Sequence, residues 1–442
     1  MRNNFSCASA AVTALLALTS CGTAPPQAPN VLLIVIDTLR ADHLSLYGYP
    51  RVTSPTLDAL AAESVVYTDA MAQAPVTIPS VLQILTGRQL VRKWIPADQK
   101  TFAETLADNG YATMAVVDNP VIESSQTRLE RGFQSFFKND ILDERLSQQH
   151  WKTKTPADVI TQRAIRWLDG RDPEQAFFAW LHYFDPHDPY FPPFTQDLTF
   201  ADASDSTWNG DIRRNPIANK RAKPGAGVQP SPADRQRLLD LYDAEIAYLD
   251  RSLADLFAYL REQGLWEDTL VVVTADHGES FGERGEWTHG RSLYQSQVHV
   301  PLLVKLPHPD TNARRVDTPV QLIDIVPTLC AYLGIPCSEG TNGRDVLTNT
   351  YEDAYTLWNY WIAVREGSWK LIYNTVDDSS RLYDLASDPE ERNDRSRSDP
   401  EPLARLLARK NAWLESRWPS SRATIEQSRE QVEQLEALGY LE

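Results

Sequence analysis

At 442 residues, 42% hydrophobic and 10% aromatic, the chain carries enough apolar material for one large domain plus a smaller one, which excludes general disorder. Sixty acids against 43 bases leave a formal charge of −17, which excludes nucleic acid and anionic membrane faces as charge-driven partners. An anionic ligand would have to be held by local cations or a metal.

The amino terminus, MRNNFSCASAAVTALLALTSCG, has one Arg and an apolar run from Ala8 to Leu18. That run is too short to cross a bilayer, so residues 1–20 read as an export signal. Leu18-Thr19-Ser20-Cys21 is similar to a bacterial lipoprotein signal. On that likeness Cys21 is lipidated, anchors the protein to the membrane and leaves it on the periplasmic side of the envelope. An ordinary cleaved signal is the alternative. Residues 21–29, with Pro25, Pro26 and Pro29, read as a tether. Cys330 and Cys337 flank a turn, and two readings stand: a short-loop disulfide in an oxidising compartment, or two buried apolar side chains.

Residues 30–36 (NVLLIVI) are apolar without alternation, the pattern of a strand covered on both faces. Asp37 follows directly, as a ligand candidate or a helix cap. A helix is expected over 54–64. In APVTIPSVLQILTGR, Pro79 pre-sets the first turn of a helix that Gly87 closes. Thr77 therefore lies by a helix amino terminus, where free N–H groups favour an anion or alkoxide; alone it would be an N-cap.

Further on, a helix over 101–110 leads to a strand over 111–117 that ends at Asp118-Asn119. A helix over 156–168 precedes a strand over 177–181, which opens into HYFDPHDPY with His182 and His187. Residues 194–232 lack periodicity and read as a surface insertion. The clearest helix, 234–263, repeats Leu at three- and four-residue steps. It delivers the chain to a strand over 270–273, then Asp276, His277 and Gly278, with His289 and Gly290 twelve residues after His277. A strand over 300–306 and a helix over 324–333 complete an alternation that predicts an α/β doubly wound, mostly parallel sheet. From 355 the pattern changes to short strands over 362–365, 369–373 and 381–383, suited to a small antiparallel sheet, and a charged helix over 402–418.

The segments NVLLIVIDTLRADHLSLYGY, APVTIPSVLQILTGR, LHYFDPHDPYFPP and VVVTADHGESFGERGEWTHGRSLYQSQVHVPLL, followed by QLIDIVPTLCAYLGIP, VREGSWKLIY, LYDLASDPEERND and ALGYLE, resemble in this order the sulfatase family of the alkaline phosphatase superfamily. The resemblance implies an alkaline-phosphatase-like sandwich of helices around a large mostly parallel sheet. It assigns a catalytic domain to 30–348 and a smaller carboxyl-terminal domain, with a short antiparallel sheet and a helix, to 349–442. Position by position it makes Asp37, Thr77, Asp276 and His277 metal ligands, with Thr77 also the nucleophile. His187 and His289 match positions that bind the ester oxygens and assist the leaving group; Asn119 and Arg40 are supporting matches. Independently of the family, two acids, an imidazole and a hydroxyl suit one divalent ion, Zn or Mn ahead of Ca.

Three positions depart from the family pattern. Thr77 replaces the Cys or Ser that sulfatases convert to formylglycine, Val81 replaces an Arg, and Thr38 replaces an acid. A threonine has no second hydroxyl for the usual release of sulfate, whereas a phosphothreonine can be attacked by water or another acceptor. In this respect the set looks like phosphoethanolamine and phosphoglycerol transferases of the same superfamily. Three functions therefore stand: a hydrolase of a sulfate or phosphate ester, a phosphoryl transferase, and a non-catalytic binder that has lost the residues at 38 and 81. The ligand would be a sulfated or phosphorylated small molecule, glycan or lipid. His43, His150, His299 and His308 read as lying outside the ligand set.

Overall fold

The computed structural model describes residues 28–90, 94–119, 121–122, 126–138, 155–190, 192, 200, 231–308 and 313–417. The signal, nearly all of the tether, nearly all of the 194–232 insertion, His150 and the end of the chain lie outside these residues. In chain order the strands of the first part are β1 (Asn30–Ile36), β2 (Ser64–Met71), β3 (Ala112–Val117), β4 (Ser135–Phe137), β5 (Phe177–Tyr183), β6 (Thr269–Ala275), β7 (Ser280–Phe281), β8 (Trp287–Thr288), β9 (His299–Lys305), β10 (Arg314–Val316) and β11 (Val320–Gln321).

Among the described residues nine of these form one sheet, ordered β10-β2-β9-β6-β1-β5-β3-β4, with β11 alongside β2. The pairs are parallel except those of β9, which runs antiparallel to β6 and β2. Every residue of β1, β5 and β6 is buried, which is why these strands read as unbroken apolar runs: both faces are covered. The coverings are two groups of helices. The 31-residue α5 (Pro232–Glu262) packs with α1 (Pro55–Ala61) and α4 (Ala157–Asp169), and α2 (Thr77–Thr86) packs with α3 (Phe102–Asp108) and α7 (Ile325–Leu333); the short α6 (Gln295–Val298) precedes β9. Thr101 and Glu104 close a capping box at the start of α3, as Ser231 and Asp234 do for α5. Among the described residues no helix is long and apolar enough to cross a membrane.

The expected helix over 54–64 is shorter: α1 ends at Ala61 and β2 starts at Ser64. The β-branched run Val65-Val66 is drawn into the sheet, pairing with Leu303 and Val304 of β9. The second sheet is an antiparallel meander of β12 (Asp353–Trp358), β13 (Trp361–Glu366), β14 (Trp369–Asn374) and β15 (Ser380–Asp384), with α8 (Pro400–Arg417) against β13 and β14. Its core is built from Tyr355, Ile362, Val364, Leu371, Leu406 and Trp413, with the Tyr355 and Trp413 rings stacked at 5.0 Å. Thr356 Oγ1 donates to the Ala72 carbonyl at 2.7 Å, and Arg365 pairs with Asp69, so this sheet is tied to β2. Cys330 and Cys337 form a disulfide.

Candidate active site

Strands β5, β1 and β6 lie side by side, and Ile36 is in register with both Tyr183 and Ala275. Asp37 and Asp276 therefore leave the sheet at one level, past the carboxyl ends of parallel strands, where open α/β sheets place their ligands. Asp37, Asp276 and His277 are fully buried. One ligand atom from each lies within 4.8 Å of the others. His277 Nδ1 donates to the Gly278 carbonyl at 2.9 Å, so the proton sits on Nδ1 and Nε2 carries the lone pair. That Nε2 lies 3.6 Å from Asp276 Oδ2 and 3.8 Å from Asp37 Oδ1.

Thr77 joins this group: its Oγ1 is 3.3 Å from His277 Nε2 and it is only 6% exposed. It is the first residue of α2 rather than its cap, which is Val76, so the N-cap alternative does not hold. Its hydroxyl thus sits at the positive end of the α2 dipole, which favours negative charge there. Ser80, one turn on, donates to the Asp276 carbonyl at 2.6 Å, fastening α2 to the end of β6.

The remaining oxygens of the two acids have defined partners. Asp37 Oδ2 accepts from Asn119 Nδ2 at 2.6 Å. Asp276 Oδ1 accepts from the main-chain N–H of His277 at 2.8 Å and of Thr38 at 3.2 Å. Asp37 Oδ1 and Asp276 Oδ2 are buried and accept no hydrogen bond. Burial, then the Asp276 carboxylate, pushes Asp37 well above the usual carboxylate range. Burial also works against ionised Asp276, but His277 and His182 hold it down at about 2. Burial pushes the His277 imidazole down to about 4, so it is neutral near pH 7. Two buried carboxylate oxygens that accept no hydrogen bond, converging with an imidazole lone pair, cost stability unless a cation offsets them, and these donor types fit a divalent metal.

His289 and His187 border the group. The His289 ring is 4.5 Å from His277 and 5.1 Å from His187, so the two histidines lie together beside the cluster. His187 Nδ1 donates to the Asp188 carbonyl at 2.6 Å, and its ring stacks on Phe184 at 4.5 Å. Burial lowers its pKa.

Arg40, a supporting match, is held by partners of its own. Its guanidinium binds Asp42 through Nε and Nη2, and Glu283 and the Glu279 carbonyl through Nη1, at 2.7–2.9 Å. Thr38 sits at φ 56°, a strained setting for a β-branched residue. It is held there by its N–H on Asp276 and by its carbonyl, which accepts from Tyr242 Oη at 2.8 Å. Val81 is buried on α2 and supplies no charge. His43 pairs with Asp243 at 2.8 Å, and His299 Nε2 binds the Thr68 carbonyl; both lie outside the cluster.

Two residues beside the cluster were given no role from the sequence. His182, the penultimate residue of β5, is buried with Nε2 3.9 Å from Asp276 Oδ2. Glu279 is fully buried, and burial followed by Asp188 pushes its carboxyl up to about 8. The available signal for Glu279 was its place directly after Asp276-His277-Gly278.

These features define an alkaline-phosphatase-like α/β fold with its site at the strand ends. Solved structures of the same architecture include a phosphonate monoester hydrolase of Agrobacterium radiobacter, with a TM-score of 0.70 at 20% identity over 88% of this chain and 95% of that one. A second was solved with its substrate D-glucosamine-2-N,6-O-disulfate, with a TM-score of 0.72 at 19% identity over 89% and 99%. The chain matches the Sulfatase family over residues 29–335 and belongs to it. It is 29% identical to human iduronate 2-sulfatase over 332 residues, 64% of this chain and 60% of that protein. The chain is thus a sulfatase-family hydrolase. The family uses a metal, and Asp37, Asp276 and His277 are a possible site for one.

Proposed function

We propose that this protein is a metal-dependent ester hydrolase that works outside the cytoplasm on a lipid anchor at Cys21, with Thr77 as its nucleophile. The observation that carries this is Thr77 Oγ1, at a helix amino terminus and 3.3 Å from His277 Nε2, beside two unpaired buried carboxylate oxygens. A divalent ion held by Asp37, Asp276, His277 and Thr77 would lower the pKa of the hydroxyl and withdraw charge from an ester oxygen. Thr77 Oγ1, attacking as the alkoxide after its proton has gone to solvent, forms a bond to phosphorus or sulfur, and the bond to the leaving oxygen breaks. His289 or His187 gives the leaving oxygen a proton, and takes one back from the water that opens the threonyl ester.

A single hydroxyl on Thr77 favours phosphorus, because a phosphothreonine is opened by attack at phosphorus. The same observation supports the second reading, a phosphoryl transferase in which an acceptor alcohol replaces that water. The relative's iduronate and the neighbour's glucosamine disulfate suit an esterified sugar as substrate. Metal-loaded protein should hydrolyse at least one of a panel of aryl sulfates, phosphate monoesters, diesters and phosphonate monoesters. Thr77→Ser should retain that activity and Thr77→Ala should lose it; activity that survives Thr77→Ala removes Thr77 as nucleophile. Radiolabelled palmitate incorporated into wild type but not into Cys21→Ala tests the anchor.

A further inference from the structure

We propose that Glu279 is the positioning residue for His289, holding its ring so that Nε2 is the nitrogen offered to the ester; this rests on the hydrolase reading above. His289 Nδ1 lies 3.3 Å from Glu279 Oε1 and 3.4 Å from Oε2, centred on the carboxyl group. Whichever partner carries the proton shared along this line, Nδ1 is occupied and Nε2 remains for chemistry.

Glu279 is itself fixed on all sides. Tyr190 Oη donates to Oε2 at 3.4 Å, and Arg40 Nη1 donates to the Glu279 main-chain carbonyl at 2.9 Å. The chain can enter this corner only through a glycine, since a Cβ on Gly278 would come within 2.2 Å of the Ser296 carbonyl oxygen. The other end of the pair is equally constrained. Thr288 sits at φ 63°, a setting that a β-branched residue keeps only when its surroundings enforce it. Gln297 Oε1 accepts from the N–H groups of Gly290 and Arg291 at 3.0 and 3.3 Å. A fully buried carboxyl whose side-chain partners are an imidazole and a phenol contributes little to stability, but fixes a ring well. His187 differs, because its Nδ1 is taken by the carbonyl of the next residue. The carboxyl therefore marks His289 as the ring that exchanges a proton with the leaving oxygen.

The test compares metal-loaded wild type, Glu279→Gln and Glu279→Ala on a nitrophenyl ester and on an alkyl ester of the same acid. Gln keeps an acceptor for Nδ1–H. The expected result is a loss of about 10–100-fold in kcat for Glu279→Ala on the alkyl ester, with the nitrophenyl ester, whose leaving group needs no proton, nearly unchanged and Gln restoring most of the rate. Equal losses on both esters, or Gln no better than Ala, would overturn the proposal while wild-type turnover upheld the hydrolase reading. Should no ester turn over, ¹⁵N NMR of the His289 ring still decides. One tautomer in wild type that becomes a mixture in Glu279→Ala supports the proposal, and an unchanged tautomer overturns it.

Discussion

Two buried clusters of charge in this molecule behave in opposite ways. Lys370 and Glu391, in the carboxyl-terminal part, are both fully buried and paired at 2.8 Å. The Gln295 side chain accepts from Lys370 at 2.9 Å, and its main-chain N–H donates to Glu391 at 2.7 Å. Burial pulls the Lys370 ammonium down to about 8, and Glu391 works against that fall. Asp37, Asp276 and His277 are buried to the same degree, but there two carboxylate oxygens that accept no hydrogen bond converge on a ring nitrogen. A closed pair fastens segments together, whereas converging carboxylate oxygens and an imidazole nitrogen are donor types that suit a divalent cation. Burial alone does not separate a strut from a site; whether a buried carboxylate has a cation within reach does, as Glu391 has in Lys370.

The comparison can be broken first at the open cluster. Thr77→Ala should lower kcat by about 10³-fold or more while metal content, read by elemental analysis, stays near wild type, because the three buried ligands remain. At the closed pair, Lys370→Met leaves Glu391 buried without its cation and should cost about 3–5 kcal/mol in chemical denaturation, with metal stoichiometry unchanged. Loss of metal from that variant would mean the two clusters are coupled. Chelation should lower wild-type stability by about 3–4 kcal/mol if the ion is held at a hundred to a thousand times its dissociation constant. Asp37→Asn should remove that dependence and slightly stabilise the metal-free protein by relieving its repulsion with Asp276.

The smallest effect concerns Asp250, which is buried and accepts from Thr56 and Leu57 at the start of α1 at 2.8 and 3.0 Å. Burial pushes its pKa up from 3.8 to about 6. Between those values the folded state binds the extra proton, so Asp250 contributes stability below about pH 4 that is lost as the pH rises through 6. The loss is at most about 3 kcal/mol. Asp250→Asn should therefore gain on wild type across that window in urea titrations; a difference that does not change with pH would contradict this.

Much of the fold was legible because burial on both faces writes itself as an unbroken apolar run, as in β1, β5 and β6, and Asp37 and Asp276 follow directly from where two of those runs stop. Thr77 could be read because Pro79 and Gly87 bracket its helix. Strand β2 was hidden: Thr68-Asp69 interrupts it, and its pairing with β9 shifts register between Tyr67 and Ala70, so neither period is clean. Arg40 could be read only as a supporting match, since only the folded chain brings Glu283 to it. Glu279 offered only its place after Asp276-His277-Gly278, because its inward turn depends on the Ser296 carbonyl meeting Gly278, a contact between segments that no periodicity encodes. The spacing of Cys330 and Cys337 left two readings, and the folded turn brings their sulfurs together.

The Trp358 indole, at the end of β12, donates to the Gly290 carbonyl at 3.2 Å, while Lys370 and Glu391 grip Gln295 on the far side of the same loop. The family match ends at residue 335, yet the His289 loop hangs from residues beyond it. For anyone swapping modules between relatives, the seam therefore cannot be cut at that boundary: a transplant that keeps the ligands but leaves out 353–391 would carry the reacting groups without the frame that aims them.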